Sequence, residues 1–86
     1  MKVLFHKNFD KNYQKLPVSV RNKFKKRLRL FMADPFNPTL NNHALHGEWR
    51  DFRSINVTGD FRAFYKTLDE TTVEFTIIDK HSNLYS

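Results

Sequence analysis

Hydrophobic side chains recur along this chain with two different periods, and the change of period divides it in two. Between Phe9 and Phe31 they return every three or four residues: Phe9, Tyr13 and Leu16, then Val20, Phe24, Leu28 and Phe31. That spacing lines one face of a helix. From Phe52 onward the repeat is two. Ile55 and Val57 share one side, and Phe61, Ala63 and Tyr65 then oppose Arg62, Phe64 and Lys66. This second half reads as strands.

Turn residues punctuate the pattern. Val3, Leu4 and Phe5 predict a short strand over residues 2–6, after which Asn8 or Asp10 is placed to cap a helix. Pro17 interrupts that helix and suits the first turn of the next one, so the two form an αα-hairpin. Asp34, Pro35 and Pro38 end it, because proline cannot continue a helix. Residues 41–48 read as a polar connection carrying His43, His46 and Gly47. Turns at Gly59-Asp60 and Asp69-Glu70 then separate strands over 52–58, 61–68 and 72–79. Phe75, Ile77 and Ile78 predict that the last strand is central and buried on both sides. The expectation is a single α+β domain spanning 1–86, in the order β-α-α-β-β-β, with the helices on one face of an antiparallel sheet.

Composition narrows the setting. The 86 residues support one modest core. No apolar run approaches the roughly 20 residues of a membrane span, and residues 1–5 lead straight into charged sequence rather than a signal peptide. With no cysteine, disulfides and thiolate metal sites are excluded, which fits a reducing cytoplasm. Charge is distributed unevenly. Up to Ala33 ten Lys/Arg face one acidic residue, whereas from Asp34 onward five face eight. Lys23, Lys25, Lys26, Arg27 and Arg29 cover much of the second helix outside its apolar stripe. A basic half on a small domain is the footprint of a polyanion binder, and a solvated helix face gives the same pattern.

Residues able to do chemistry gather in the second half: His43, His46, Arg50, Arg53, Asn56, Asp60, Arg62, Tyr65, Lys66, His81 and Tyr85. Arg62 follows a tight turn, where its side chain can project from a sheet edge. Phosphoryl transfer needs a cation of that kind, because negative charge grows on the phosphate oxygens. It also needs a base and an acid, roles open to His and Asp. A chain that spends His81, Leu84 and Tyr85 on its final residues is expected to dock that end. A zinc site from His43, His46, His81 and Asp60 is a weak alternative, because the histidines are expected in a loop.

The run HALHGEWRDFRSINVTGDFRAFY over residues 43–65, with the ending His81-Ser82-Asn83-Leu84-Tyr85, resembles the RelE/ParE toxin superfamily. It is most similar to YafQ-type messenger-RNA interferases, with their His-Ala-Leu-x-Gly segment and His-Ser-x-Leu-aromatic ending. The element order matches too, so the likeness covers nearly the whole chain. It implies a RelE-like fold and the toxin half of a type II toxin–antitoxin pair. It also implies a ribosome-dependent, metal-independent endoribonuclease without cofactor, in which the messenger's 2′-hydroxyl attacks the adjacent phosphate.

By position, His43, Asp60, His81 and Tyr85 match residues that YafQ-type enzymes use at the site. Ser54 and Asn56 stand where such strands commonly carry an acidic residue and a histidine, and Asn56 cannot take a proton near neutral pH. The segment from Gly59 to Tyr65 is closer to the wider RelE branch, whose strand arginine stabilises the phosphate. The resemblance thus assigns Arg62 to the phosphate, His81 and then His43 to proton transfer, and Tyr85 to stacking or phosphate positioning. Asp60 orients a histidine or holds the turn. Arg53, Asn56 and the basic helix residues Lys23, Lys25, Lys26, Arg27 and Arg29 are expected to meet messenger and ribosomal RNA. The expected protein partner is an acidic, partly disordered antitoxin in a hetero-oligomer. A ParE-like inhibitor of DNA gyrase and a non-catalytic antitoxin-binding member are the competing readings.

Overall fold

The computed structural model describes residues 1–85; Ser86, the last residue of the predicted domain, lies outside the described part. Strand β1 (Lys2–Phe5) leads into α1 (Lys7–Gln14) and α2 (Val18–Ala33). A short edge strand β2 (His43–Ala44) precedes β3 (Arg53–Asn56), β4 (Phe61–Asp69) and β5 (Thr72–Lys80), and a single helical turn α3 (His81–Leu84) closes the chain. The sheet order is β1-β5-β4-β3-β2.

Four sequence expectations change here. β1 pairs parallel with β5, so the sheet is mixed rather than antiparallel. The chain from β1 to β5 runs through the helical hairpin and then β2, β3 and β4, more than the long crossover that a parallel pair requires. Part of the polar connection forms a fifth strand, with His43 opposite Ser54 and Ala44 opposite Arg53. The cap of α1 is His6, whose Nδ1 accepts the Asn8 N–H at 3.0 Å, rather than Asn8 or Asp10. The predicted strand over 52–58 is shorter, ending at Asn56 because the chain turns through Thr58.

The helices cover one face of the sheet. Phe9 of α1 and Val20, Phe24 and Phe31 of α2 are buried against Ile55, Val57, Ala63, Tyr65, Phe75 and Ile78. Leu28, the remaining member of the predicted stripe, packs partly buried against the same core. Rings dominate: Phe75 meets Phe24 edge-on at 5.5 Å and Phe31 at 5.5 Å, and Phe31 meets Tyr65 at 4.9 Å. Each fully buried phenylalanine contributes about 1.5–3 kcal/mol, so this aromatic layer supplies much of the stability of a small domain.

β5 lies between β1 and β4, as its apolar run predicted. A bulge interrupts its pairing with β4: Phe64 faces Ile77 while Tyr65 faces Phe75, leaving Thr76 unpaired. The extra residue shifts the phase of alternation, which lets both Phe75 and Ile78 point to the helices. Ile77 turns to the opposite face and is only half-buried, so that face is less enclosed than the run predicted.

Candidate functional site

The sheet face turned away from the helices collects most of the chemistry. Cross-strand register places His43, Ser54, Phe64 and Ile77 in one row, and Asn56, Arg62 and Asp79 in the next. Directly opposed residues share a face. This face is therefore a continuous surface of groups that lie far apart in sequence.

Phe64 is its hydrophobic centre. It is fully buried although it faces away from the main core, because Trp49 packs edge-on at 5.1 Å and Tyr85 at 5.7 Å. Trp49 also meets Phe52 at 5.1 Å, and Lys66 lies over the Phe52 ring. Tyr85 in turn carries the His81 imidazole, with ring centroids 4.4 Å apart. Residues 81–85 are thus docked through Tyr85, as the residues spent there predicted. Asp79 holds the same turn, its Oδ1 accepting the Lys80 N–H at 2.7 Å and the Asn83 side-chain amide at 3.0 Å.

Beside that turn lies an open polar cleft of about 390 Å³, lined by Gly59, Asp60, Arg62, Lys80, His81 and Ser82. The β3–β4 turn and α3 build it together. The His81 N–H donates to the Asp60 carbonyl at 2.7 Å, and the Thr58 hydroxyl accepts the N–H groups of Asp60 and Phe61. A Cβ added at Gly59 would meet nothing, so the Thr58 hydroxyl, rather than glycine's freedom, defines this turn. Arg62 reaches back into the turn, its Nη1 donating to the carbonyls of Thr58, Gly59 and Phe61 at 2.9, 3.2 and 3.0 Å. Two cations, an exposed carboxylate and an imidazole therefore converge on one opening.

The other predicted site residues fall at graded distances from this cleft. His43 is exposed on the edge strand, two strands and one row from Arg62, which puts roughly 12 Å between their backbones. Its Nδ1 lies 2.8 Å from the Asn41 carbonyl. A carbonyl only accepts, so the proton sits on Nδ1 and Nε2 faces outward. His46 is exposed ahead of the turn at Gly47–Trp49. The weak zinc reading fails on this placement: among the described residues no group of three or more His, Cys, Asp or Glu is arranged to hold a metal ion.

Arg53 sits on the opposite, helix-side face, opposite Tyr65. Its Nε donates to the Asn42 Oδ1 at 2.8 Å, its guanidinium lies over the Phe36 ring, and the Asn42 amide donates to the Tyr65 hydroxyl at 2.8 Å. Those bonds tie the loop after α2 to the sheet. Arg27 lies against the sheet end, its Nε donating to the Val57 carbonyl at 3.4 Å, whereas Lys25, Lys26 and Arg29 are exposed and Lys23 is half-buried.

Sequence reasoning passed over Lys80 and Asp79. Lys80 was detectable as the immediate neighbour of His81. Asp79 becomes visible only when β5 is paired with β4 through the bulge.

A basic helical hairpin on a five-stranded mixed sheet, with a docked chain end beside a strand arginine, defines a RelE-like toxin domain. The chain belongs to the YafQ family, described as bacterial toxins of type II toxin–antitoxin systems, whose family model matches residues 1–86. Crystalline YafQ from E. coli strain BL21(DE3) superposes with a TM-score of 0.79 at 21% identity, covering 99% of this chain and 98% of that one. A copper-bound mutant toxin from Helicobacter pylori is 27% identical with a TM-score of 0.72, over 99% of both chains. The toxin in the E. coli DinJ–YafQ complex is 21% identical with a TM-score of 0.76, over 99% of this chain and 97% of that one. No curated protein matches the sequence. No helix of the described residues is long and apolar enough to cross a membrane.

Proposed function

We propose that this toxin is an endoribonuclease that cuts messenger RNA on the ribosome, in the cytoplasm, and that an acidic antitoxin neutralises it. The observation that carries this reading is the shared cleft of Asp60, Arg62, Lys80 and His81. It unites the groups that 2′-hydroxyl attack requires. The 2′ oxygen bonds to phosphorus and its proton passes to a base. The bond from phosphorus to the 5′ oxygen breaks, and that oxygen takes a proton from an acid. A 2′,3′-cyclic phosphate and a free 5′-hydroxyl result.

Asp60, an exposed carboxylate at the cleft, suits the first transfer, and His81 suits the second. Arg62 and Lys80 oppose the charge that grows on the phosphate oxygens. Tyr85 fixes the imidazole by ring contact, and its exposed side offers a stacking surface. His43 lies too far along the sheet to reach the same phosphate without rearrangement and is assigned to a neighbouring nucleotide. Lys23, Lys25, Lys26, Arg27 and Arg29 would track ribosomal RNA phosphates, making activity salt-sensitive. An antitoxin partner is supported by the DinJ–YafQ assembly, a complex of a family member.

The test is a translation reaction programmed with one defined messenger, with RNA ends mapped by primer extension. Wild-type protein should cut within codons only when ribosomes are present. Arg62→Ala and His81→Ala should each reduce the cuts steeply, to a slow residual rate. Intact messenger with folded wild-type protein would sink the proposal. Trapped gyrase–DNA complexes would then favour a ParE-like inhibitor, and their absence a binding-only role.

A further inference from the structure

Arg62 is not held where a substrate phosphate would need it. Its Nη1 carries two hydrogens yet is shared among three backbone carbonyls of the β3–β4 turn, those of Thr58, Gly59 and Phe61. At least one of these bonds is therefore divided between acceptors. The bond to Gly59 is exposed and the other two are part-buried, and the Phe61 carbonyl also accepts the Val57 and Thr58 N–H groups, so it keeps partners when the guanidinium leaves. Beside Arg62, directly across β3, stands Asn56. Its Oδ1 is buried and, among the described residues, has no hydrogen-bond partner. A buried acceptor without a donor is costly and calls for an explanation. On the other flank, Asp79 already spends its Oδ1 on Lys80 and Asn83.

We propose that Asn56 is the positioning residue for Arg62: when a phosphate enters, the guanidinium leaves the turn carbonyls and lies across the sheet, one N–H on the Asn56 Oδ1 and the rest on the phosphate. The inference rests on the reading of this cleft as a phosphate site. Directly opposed residues bring their Cβ atoms to about 4.5–5.5 Å, well within the reach of an arginine side chain. Five donors in a planar fork allow one to be fixed by protein while others grip an oxyanion. The arrangement also accounts for asparagine at this position. An acceptor that never ionises can hold a guanidinium without competing with the phosphate for its charge. Removing the Oδ1 leaves no new buried orphan, so Asn56→Ala is expected to fold.

The deciding experiment is a double-mutant cycle on single-turnover RNA cutting, read together with Arg62 side-chain NMR. Asn56→Ala should slow cutting about tenfold in the wild-type background, the scale of one lost charge-assisted hydrogen bond. In the Arg62→Ala background it should change the residual rate by less than about twofold. Equal losses in both backgrounds would overturn the proposal. The Arg62 Nε–Hε resonance, identified by its loss in Arg62→Ala, should move when a 2′-O-methylated RNA oligomer binds wild-type protein and stay near its free position in Asn56→Ala. An equal displacement in both proteins would also overturn it. Failure of wild-type protein to cut RNA would instead strike the nuclease reading, and the resonance would still decide whether Asn56 holds Arg62.

Discussion

The backbone N–H of His81 donates to the backbone carbonyl of Asp60 at 2.7 Å, joining the start of the C-terminal turn to the hairpin turn between β3 and β4. Two segments separated by most of the sheet are thereby locked into one wall of the cleft. Because both partners are main-chain atoms, the lock does not depend on either side chain.

Asp60→Ala should therefore leave the wall standing. Asp60 is exposed, so stability in urea unfolding should remain within about 0.5 kcal/mol of the parent. RNA cutting should nevertheless fall steeply, because the carboxylate at the cleft is gone. A large stability loss would show that the side chain braces the turn instead.

Tyr85 couples the site to the packing beneath it, touching Phe64 on one side and His81 on the other. Removing the ring in Tyr85→Ala should cost about 1 kcal/mol of stability, the worth of such aromatic contacts, while cutting drops far more. Tyr85→Phe keeps both ring contacts and should keep most of the activity. Comparable loss in the two variants would assign the work to the phenol hydroxyl.

Phe75 is the hub of the helix-side core, touching Phe9, Phe24, Phe31 and Tyr65. Phe75→Ala should cost about 3–5 kcal/mol, which approaches the whole stability of a small domain. Thermal unfolding should begin tens of degrees lower, or the protein should fail to accumulate folded. A change under about 1 kcal/mol would show that the core repacks around the void.

Asp69 closes the β4–β5 hairpin, its Oδ1 accepting the Thr71 N–H at 2.8 Å. That backbone bond first, and the threonine hydroxyls of Thr72 and Thr71 with it, hold its carboxyl below the ordinary value of 3.8. A carboxyl depressed by folding stabilises the folded state above its unfolded pKa and loses that contribution as pH falls through the folded one. Asp69→Ala should thus be less stable than the parent at pH 6, and the gap should close below about pH 4. A gap that persists at low pH would mean that the turn depends on something other than the ionised carboxylate.

Much of the fold is legible in the residues alone. The three-to-four spacing from Phe9 to Phe31 fixes two helices and their buried face, and Pro17 and Pro35 bound them. The alternation of Phe61, Ala63 and Tyr65 against Arg62, Phe64 and Lys66 assigns β4 its two faces correctly. These signals survive because they are local: neighbouring residues alone decide which side of a helix or strand is apolar. The run from residues 43 to 65 and the ending His81-Ser82-Asn83-Leu84-Tyr85 likewise carry the family likeness without any contact.

Tertiary pairing decided the rest. No local pattern tells that β1 runs parallel to β5, because that depends on where the helical hairpin returns the chain. The bulge at Thr76 alters which residues of β5 face the helices, and a one-residue slip is invisible without the partner strand. Arg62, expected at the reacting phosphate, and Arg53, expected to meet RNA, part company for the same reason. Register turns Arg53 toward Asn42 and Phe36, and places Arg62 on the other face, between Asn56 and Asp79. The sequence determined which groups were available, and only the assembled sheet determined which of them meet, because a site built from opposite ends of a chain exists in distances between strands and not in spacing along them.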